Sequence, residues 1–443
     1  DALSNGFGLN YREPVNLVET YQKVKSPICY QPQFLGGMKR LVSPIFVSGL
    51  PDEAFRDFKS QISKLGFKAV AGMTGSRKVE VKKELKLERG ASLAVPLVSG
   101  DISMAAMGTV TEVVGDKVYG FGHSFMGYGP VNLPMATGTI HTVVSQLFGS
   151  FKFGSPVEIV GALTADEATA VYGKIGVEPH MIPMKIKVNR YNDPQQRVYD
   201  CQIAHNQIYT PLLLGAAVSG ADMMRGSLPP ENTINYKVRI DIEGYKSIEY
   251  ENISTGVGLS QMVSNASSAV ALMMNNPYEK VKVKNMEFVL DIKNENISSK
   301  IWSVNLSQTS LKAGDDLDVS IITETYRGDR EKYEYTLNIP KGLKEGEYTL
   351  LFTGRSGYES FLKQKAAARF IPTNAENLIE IIDNISDIKR DKLYCILVMP
   401  PSGVWIQRSE LPGLPATAAA VLTDSKRAVK SQPHIDWKEK IFD

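Results

Sequence analysis

The chain has 443 residues, 43% of them hydrophobic and 22% charged, with a formal net charge of +2. That balance excludes disordered, collagen-like and wholly coiled-coil classes, and so small a charge gives no field selecting nucleic acid or anionic lipid. The length calls for two or three domains. No run of ~18 apolar residues is present that would span a membrane as a helix.

The chain opens on Asp-Ala-Leu-Ser rather than Met, without a charged-then-apolar leader, and reads as a processed chain or a fragment. Cys29, Cys201 and Cys395 lie far apart with no Cys-x-x-Cys spacing. At most one disulfide can form among them, and they are expected to act as small hydrophobes in the core.

The first predicted element is a helix over residues 51–66. Pro51 suits its first turn with Asp52 and Glu53 beside it, Phe55, Phe58, Ile62 and Leu65 share one face, and Gly66 ends it. A polar, Lys-rich link follows to about residue 90. Its basic stretch at 77–89 is interleaved with Glu80, Glu84 and Glu88, as expected of a solvated strand or loop.

From Leu93 onward, short apolar runs separated by glycine predict strands. Two of them, 108–114 and 117–121, flank Gly115-Asp116, where glycine permits the positive φ of a two-residue hairpin. The second strand runs directly into Gly122-His123-Ser124-Phe125, which puts His123 at a strand end. Further strands are expected near 142–163, 181–190 and 197–205.

A helix is predicted over 254–276, where Leu259, Met262, Val263, Ala266, Ala269, Val270 and Met273 repeat at helical spacing before Asn276-Pro277. From Lys280, five evenly spaced strands (286–292, 301–306, 317–325, 333–339 and 346–352) suggest a β-sandwich of immunoglobulin-like size. The tail holds a helix with a capping box at Thr373 and Glu376 and an apolar face of Leu378, Ile381, Ile382 and Ile385. A strand over 393–399 and a proline-rich close complete the chain. The fold class is therefore mainly β with several helices, α+β. The expected organisation is an N-terminal segment 1–90, a strand-rich domain 91–279, a sandwich 280–356 and a helix–strand tail 357–443.

Five histidines exist, His123, His141, His180, His205 and His434, and none stands at metal-ligand spacing from another His, Cys or carboxylate. Phosphate-loop and dinucleotide glycine spacings are absent as well, so neither a metal nor a cofactor is expected. His123 stands out because a glycine-flanked strand end can hold an imidazole open at a sheet edge, within reach of a group it would deprotonate. A histidine packed in a barrel mouth with both nitrogens satisfied is the structural alternative.

The run from Gly108-Thr-Val-Thr to Gly120-Phe-Gly-His-Ser-Phe resembles the motif of SpoIVB-type serine peptidases, in which a Gly-Thr strand, a turn and a Phe-Gly-x-Gly-His strand end present the catalytic histidine. The likeness extends through Gly129-Pro-Val-Asn-Leu-Pro134, Ser150-Phe-Lys-Phe and residues 176–183, and more weakly to Asn275-Asn276-Pro277-Tyr278. It is nearest to the longer exported bacterial relatives. The resemblance implies a trypsin-like β-barrel peptidase-type domain with His123 as general base, and an envelope, periplasmic or extracellular location. The family's Gly-Met-Ser-Gly-Ser-Pro nucleophile segment is absent. Ser219 in Ala217-Val-Ser-Gly220 is a weak imitation, and Ser124 adjoins His123 on an extended chain, so their side chains face opposite ways. Asp101, Asp116 and Asp200 are candidate orienting carboxylates, Asp116 foremost.

Residues 2–14 resemble a stretch that follows the serine segment in those longer relatives, which would put the nucleophile strand just upstream of Asp1. Without a nucleophile, the chain is expected to be non-catalytic and to work as a binding or assembly module for a protein or peptide, for copies of itself, or for its own upstream segment. The alternative is a serine endopeptidase completed by that upstream segment.

Overall fold

The computed structural model describes residues 7–27, 43–72, 85–145, 150–406, 409–424 and 431–442. Cys29 and most of the basic stretch at 77–89 lie outside them. The first helix, α1 (Leu17–Val24), is capped by Asn16, whose side chain accepts the Glu19 N–H at 3.3 Å. After β1 (Ser43–Ser48) comes α2 (Asp52–Lys64), then β2 (Phe67–Ala71), which pairs parallel with β1. The helix lies where its pattern predicts: Phe58, Ile62 and Leu65 are buried, and Gly66 takes a φ of +81° after the last turn.

Six antiparallel strands follow: β3 (Ser92–Gly100), β4 (Ser103–Val114), β5 (Lys117–Gly120), β6 (Gly129–Val144), β7 (Phe151–Asp166) and β8 (Val171–Ile175). They pair in the order β3-β4-β5-β8-β7-β6, and β6 pairs back onto β3, so the ring closes and leaves no free edge among them. Leu93, Val95, Met104, Val118, Leu133, Met135 and Leu163 are buried in the core it contributes to. The β4–β5 turn is the expected two-residue hairpin, with Val114 opposite Lys117 and Gly115 at φ +65°.

The sheet continues beyond the ring. On one side β4 carries β1 and β2. On the other, β3 carries β10 (Asp193–Ala204) and then β9 (Met181–Arg190). After β10 the chain forms α3 (Tyr209–Met223), β11 (Thr233–Ile242), β12 (Ile248–Thr255), α4 (Ser260–Met274) and β13 (Val283–Lys293). The helix expected from 254 begins only at Ser260, because residues up to Thr255 are committed to strand pairing with β11. Helix α3 has no counterpart in the sequence reading: it is apolar nearly all round, so it lacks the one-sided stripe that reveals a helix. A Cβ on Gly220 would collide with Leu50, so that small residue lets α3 approach closely.

The boundary expected at 280 is not where the fold divides. Strand β13 pairs parallel with β9 and antiparallel with β11, at the heart of the large sheet. The next sheet is β14 (Ser299–Leu306), β15 (Asp316–Thr325) and β16 (Arg330–Asn338). The chain then runs through β17 (Thr349–Thr353), α5 (Arg355–Lys365), α6 (Ala375–Asp387), β18 (Leu393–Val398), β19 (Gly403–Ile406), β20 (Ser409–Pro412), α7 (Ala416–Leu422), β21 (Ser431–His434) and β22 (Trp437–Phe442). Strands β17, β18 and β22 form a second three-stranded sheet. Leu317, Val319, Ile321 and Leu337 of the first share a core with Cys395 and Phe442 of the second, and the rings of Tyr335 and Phe442 lie 4.1 Å apart. The two-sheet unit thus recruits tail strands instead of closing within 280–356. The cap of α6 is Asn374, which accepts the Asn377 N–H at 2.7 Å, in place of the expected Thr373. Cys201 and Cys395 are free and buried, and burial pushes both thiols up to about 11.

Candidate functional site around His123

His123 follows β5 in the loop that crosses to β6, and the motif residues around it lock together physically. Phe121 is the one non-glycine residue with positive φ (69°) among the described residues. The Gly122 N–H bonds back to the Gly120 carbonyl at 2.9 Å, closing a γ-turn of the rare positive-φ kind. Two groups of the Gly-Thr strand hold Phe121 there. The Thr109 carbonyl accepts its N–H at 2.9 Å, and its ring lies over Gly108, where a Cβ would fall 2.6 Å from the ring edge. Strained backbone of this kind persists only where its surroundings over-determine it, and it clusters at functional sites.

The Phe121 ring meets both His123 and Phe125 edge-on at 5.7 Å. The imidazole is half-buried, and its Nδ1 lies 2.8 Å from the Ser124 carbonyl, its one hydrogen-bond partner among the described residues. A carbonyl can only accept, so Nδ1 bears the hydrogen, and in the neutral ring Nε2 carries the lone pair. A backbone carbonyl therefore orients this ring, where a serine peptidase uses a carboxylate.

The rest of the loop is clamped by Asp166, the last residue of β7, only 1% exposed. Its carboxylate accepts the backbone N–H groups of Phe125 (2.7 Å), Met126 (2.5 Å) and Gly127 (2.9 Å). Three charge-assisted bonds pin the loop across the end of the ring, and the N–H groups of Phe125, Met126 and Gly127 are thereby spent inside the protein. Nothing local in the sequence marks Asp166, some forty residues from the groups it binds.

The other expected site residues lie elsewhere. Asp116 is exposed in the β4–β5 turn, at the opposite end of β5 from His123; at roughly 3.3 Å per residue, that separates them by about 15 Å or more. Asp101 and Asp200 bind each other's backbone: the Asp101 carboxylate accepts the Asp200 N–H at 2.8 Å. Ser219 sits inside helix α3, on a groove whose walls contain no residue of the His123 loop. It has helical neighbours where a nucleophile turn is required. Among the described residues none of the three carboxylates and neither serine hydroxyl is hydrogen-bonded to the His123 ring.

Two histidine contacts join residues that sequence spacing does not connect. His141 Nε2 and Ser155 Oγ are 2.9 Å apart on neighbouring strands β6 and β7. That pair lies on an exposed face, and no hydrogen-bonded carboxylate orients His141 among the described residues. His180 and His205, just beyond the ends of β9 and β10, stack at 4.3 Å with their planes 12° apart. The pairing of Met181 with Ala204 puts them side by side. Burial pulls His205 down to about 4, with the like charge of His180 adding to it; burial also lowers His180.

Among the described residues no group of three or more His, Cys, Asp or Glu could hold a metal ion, and no helix is long and apolar enough to cross a membrane. Comparisons of this chain with protein-family models, with curated proteins and with solved structures found no match.

Proposed function

We propose that this chain is the histidine-bearing part of an exported, bacterial SpoIVB-type peptidase-like protein, non-catalytic as it stands, and that it serves as a binding or assembly module for a protein or peptide. The observation that carries this reading is the loop after His123. Three of its backbone donors, those of Phe125, Met126 and Gly127, are taken by the Asp166 carboxylate and are not open to a substrate oxyanion. A histidine without a hydroxyl in reach cannot form an acyl-enzyme. The closed six-stranded antiparallel ring supports a trypsin-like barrel, since peptidases of that type are built on β-barrels. The two-sheet unit supports the interaction role by exposing Trp302, 50% accessible on the edge strand β14, with the Arg330 guanidinium 3.8 Å above its ring.

A fluorophosphonate probe tests the catalytic half of this proposal and is expected to leave the chain unlabelled. Labelling abolished by His123→Ala would overturn it, and so would labelling lost in Ser155→Ala. Light scattering tests the other half: a monomer at all concentrations that captures no envelope peptide in a display selection would remove the module reading.

A second reading has one observation in its favour. With Nδ1–H donated to Ser124, the His123 Nε2 is free to accept a proton, as a general base must. The chain would then be part of a serine endopeptidase whose nucleophile comes from a segment upstream of Asp1. Labelling of the longer product, lost in His123→Ala, is the result that reading requires.

A further inference from the structure

A groove of about 450 Å³ runs between α2, α3 and α4, separate from the His123 loop. Phe58, Leu212 and Val263 give it apolar walls. Asp222, near the C-terminal end of α3, lines it while being only 2% exposed, and among the described residues neither of its carboxylate oxygens has a hydrogen-bond partner. Ser267 of α4 lines it too, fully buried, with its Oγ likewise unpartnered. A buried carboxylate without a partner is costly, and native proteins rarely keep one without a use.

The neighbouring cation attracts it but does not hydrogen-bond it. Arg190 of β9 lies close, but its guanidinium donates to the backbone carbonyls of Asp222, Gly226 and Ser227 that close the end of α3. At the mouth of the groove stand Glu53 and Asp57 of α2, both exposed, against a single ammonium, Lys25, which lies over the Tyr21 ring at 4.6 Å. Among the described residues three carboxyl groups and one lysine therefore face this space.

We propose that this groove binds an alkylammonium group, its head seated on the Asp222 carboxylate and its chain along the apolar walls. An ammonium brings three donors and no acceptor. Two acceptors are offered by Asp222, a third by the Ser267 hydroxyl, and Ser219 adds a half-buried hydroxyl one turn before Asp222 on α3. The acidic mouth draws a cation inward, and the apolar walls take the methylene chain of an amine or of a lysine side chain. The same chemistry can come from a free alkylamine or from a lysine within a peptide. The site stands independently of whether the His123 loop belongs to a peptidase.

Calorimetric titration of the full chain with n-pentylamine, Nα-acetyl-lysine methylamide and neutral 1-pentanol tests it. At least one of the two ammonium compounds is expected to bind at least tenfold more tightly than pentanol. Asp222→Asn, which keeps the shape, should weaken that binding tenfold or more; Ser219→Leu, filling the groove from a half-exposed position, should abolish it while leaving the circular dichroism spectrum unchanged. Burial pushes the Asp222 carboxyl up to about 7 against the opposing pull of Arg190, so the affinity should rise between pH 6 and pH 8 as the acid ionises. The other charged groups around this carboxyl are Glu53, Asp57 and Lys25 on the groove and Arg190 of β9 beside it. Binding of the lysine compound alone would identify a peptide side chain as the source, and of pentylamine alone a free amine. No binding of either at 10 mM, equal binding of pentanol, or undiminished affinity in Asp222→Asn would overturn the proposal.

Discussion

The His123 loop and the groove beside α3 treat their polar groups in opposite ways. In the loop, three backbone donors meet a buried carboxylate, and the imidazole is tied to a carbonyl. In the groove, a carboxylate and a hydroxyl are buried without a hydrogen-bond partner among the described residues. The first arrangement pins a loop in place; the second keeps a desolvated acid in reserve for something that arrives from outside. A histidine at a strand end drew attention in the sequence, yet the unspent polar capacity lies elsewhere.

That contrast can be broken most sharply at Asp166. Replacing it with Ala removes three bonds to a charged acceptor and strands buried N–H groups, at a cost of about 5 kcal/mol in urea unfolding. Asp166→Asn, which keeps one acceptor oxygen, should cost roughly half as much. A loss under ~1 kcal/mol would mean the loop is not held by this residue.

In the groove the sign depends on pH. The Asp222 carboxyl titrates near 7 in the folded chain against an ordinary 3.8, so the folded state holds its proton longer. Stability contributed below pH 4 is lost as pH rises through 7, by on the order of 4 kcal/mol. Asp222→Asn should flatten that slope, and an unchanged melting profile between pH 5 and pH 8 would refute it.

The stacked histidines act in the other direction. His205 is held near 4 by burial, with His180 and Lys282 opposing its charge from neighbouring elements; Glu243 acts the opposite way on His180. Protons then favour the unfolded chain, and stability falls as pH drops from about 6.5 to 4, by on the order of 2 kcal/mol after allowance for partial exposure. His205→Phe should preserve the stack and remove most of that acid-side loss, as read from melting temperatures at pH 4 and pH 7.

The smallest effect is expected at Gly108. An added methyl group meets the Phe121 ring, so Gly108→Ala should cost about 1–2 kcal/mol and shift the His123 imidazole resonances through the displaced ring. Resonances that stay put would separate the Gly-Thr strand from the geometry of the histidine.

Much of the local structure was legible. Helix α2 carries its stripe and its stop in consecutive residues, and the Gly115-Asp116 hairpin needs only one glycine between two alternating runs. Strand β9 could be read from its alternation, with every second residue buried from Ile182 to Arg190. The candidate site was half legible. His123 and its glycines announced themselves, but its clamp Asp166 did not, because an aspartate at a strand end looks like any turn residue. Ser219 could be only a weak candidate, because small residues in a helix-packing seam look like those of a flexible nucleophile turn.

What the sequence determines by itself is therefore local: period, turn chemistry and the bend that presents an imidazole, all set by the backbone preferences of a few adjacent residues. Tertiary structure alone decides the rest. It closes six strands into a ring, sends β13 into the large sheet and draws β18 and β22 into the two-sheet unit. It also brings Asp166 to the His123 loop and leaves Asp222 without a hydrogen-bond partner among the described residues. A strand's alternation fixes which face is buried, but which neighbour it pairs with depends on long-range burial and hydrogen-bond satisfaction summed over the whole chain.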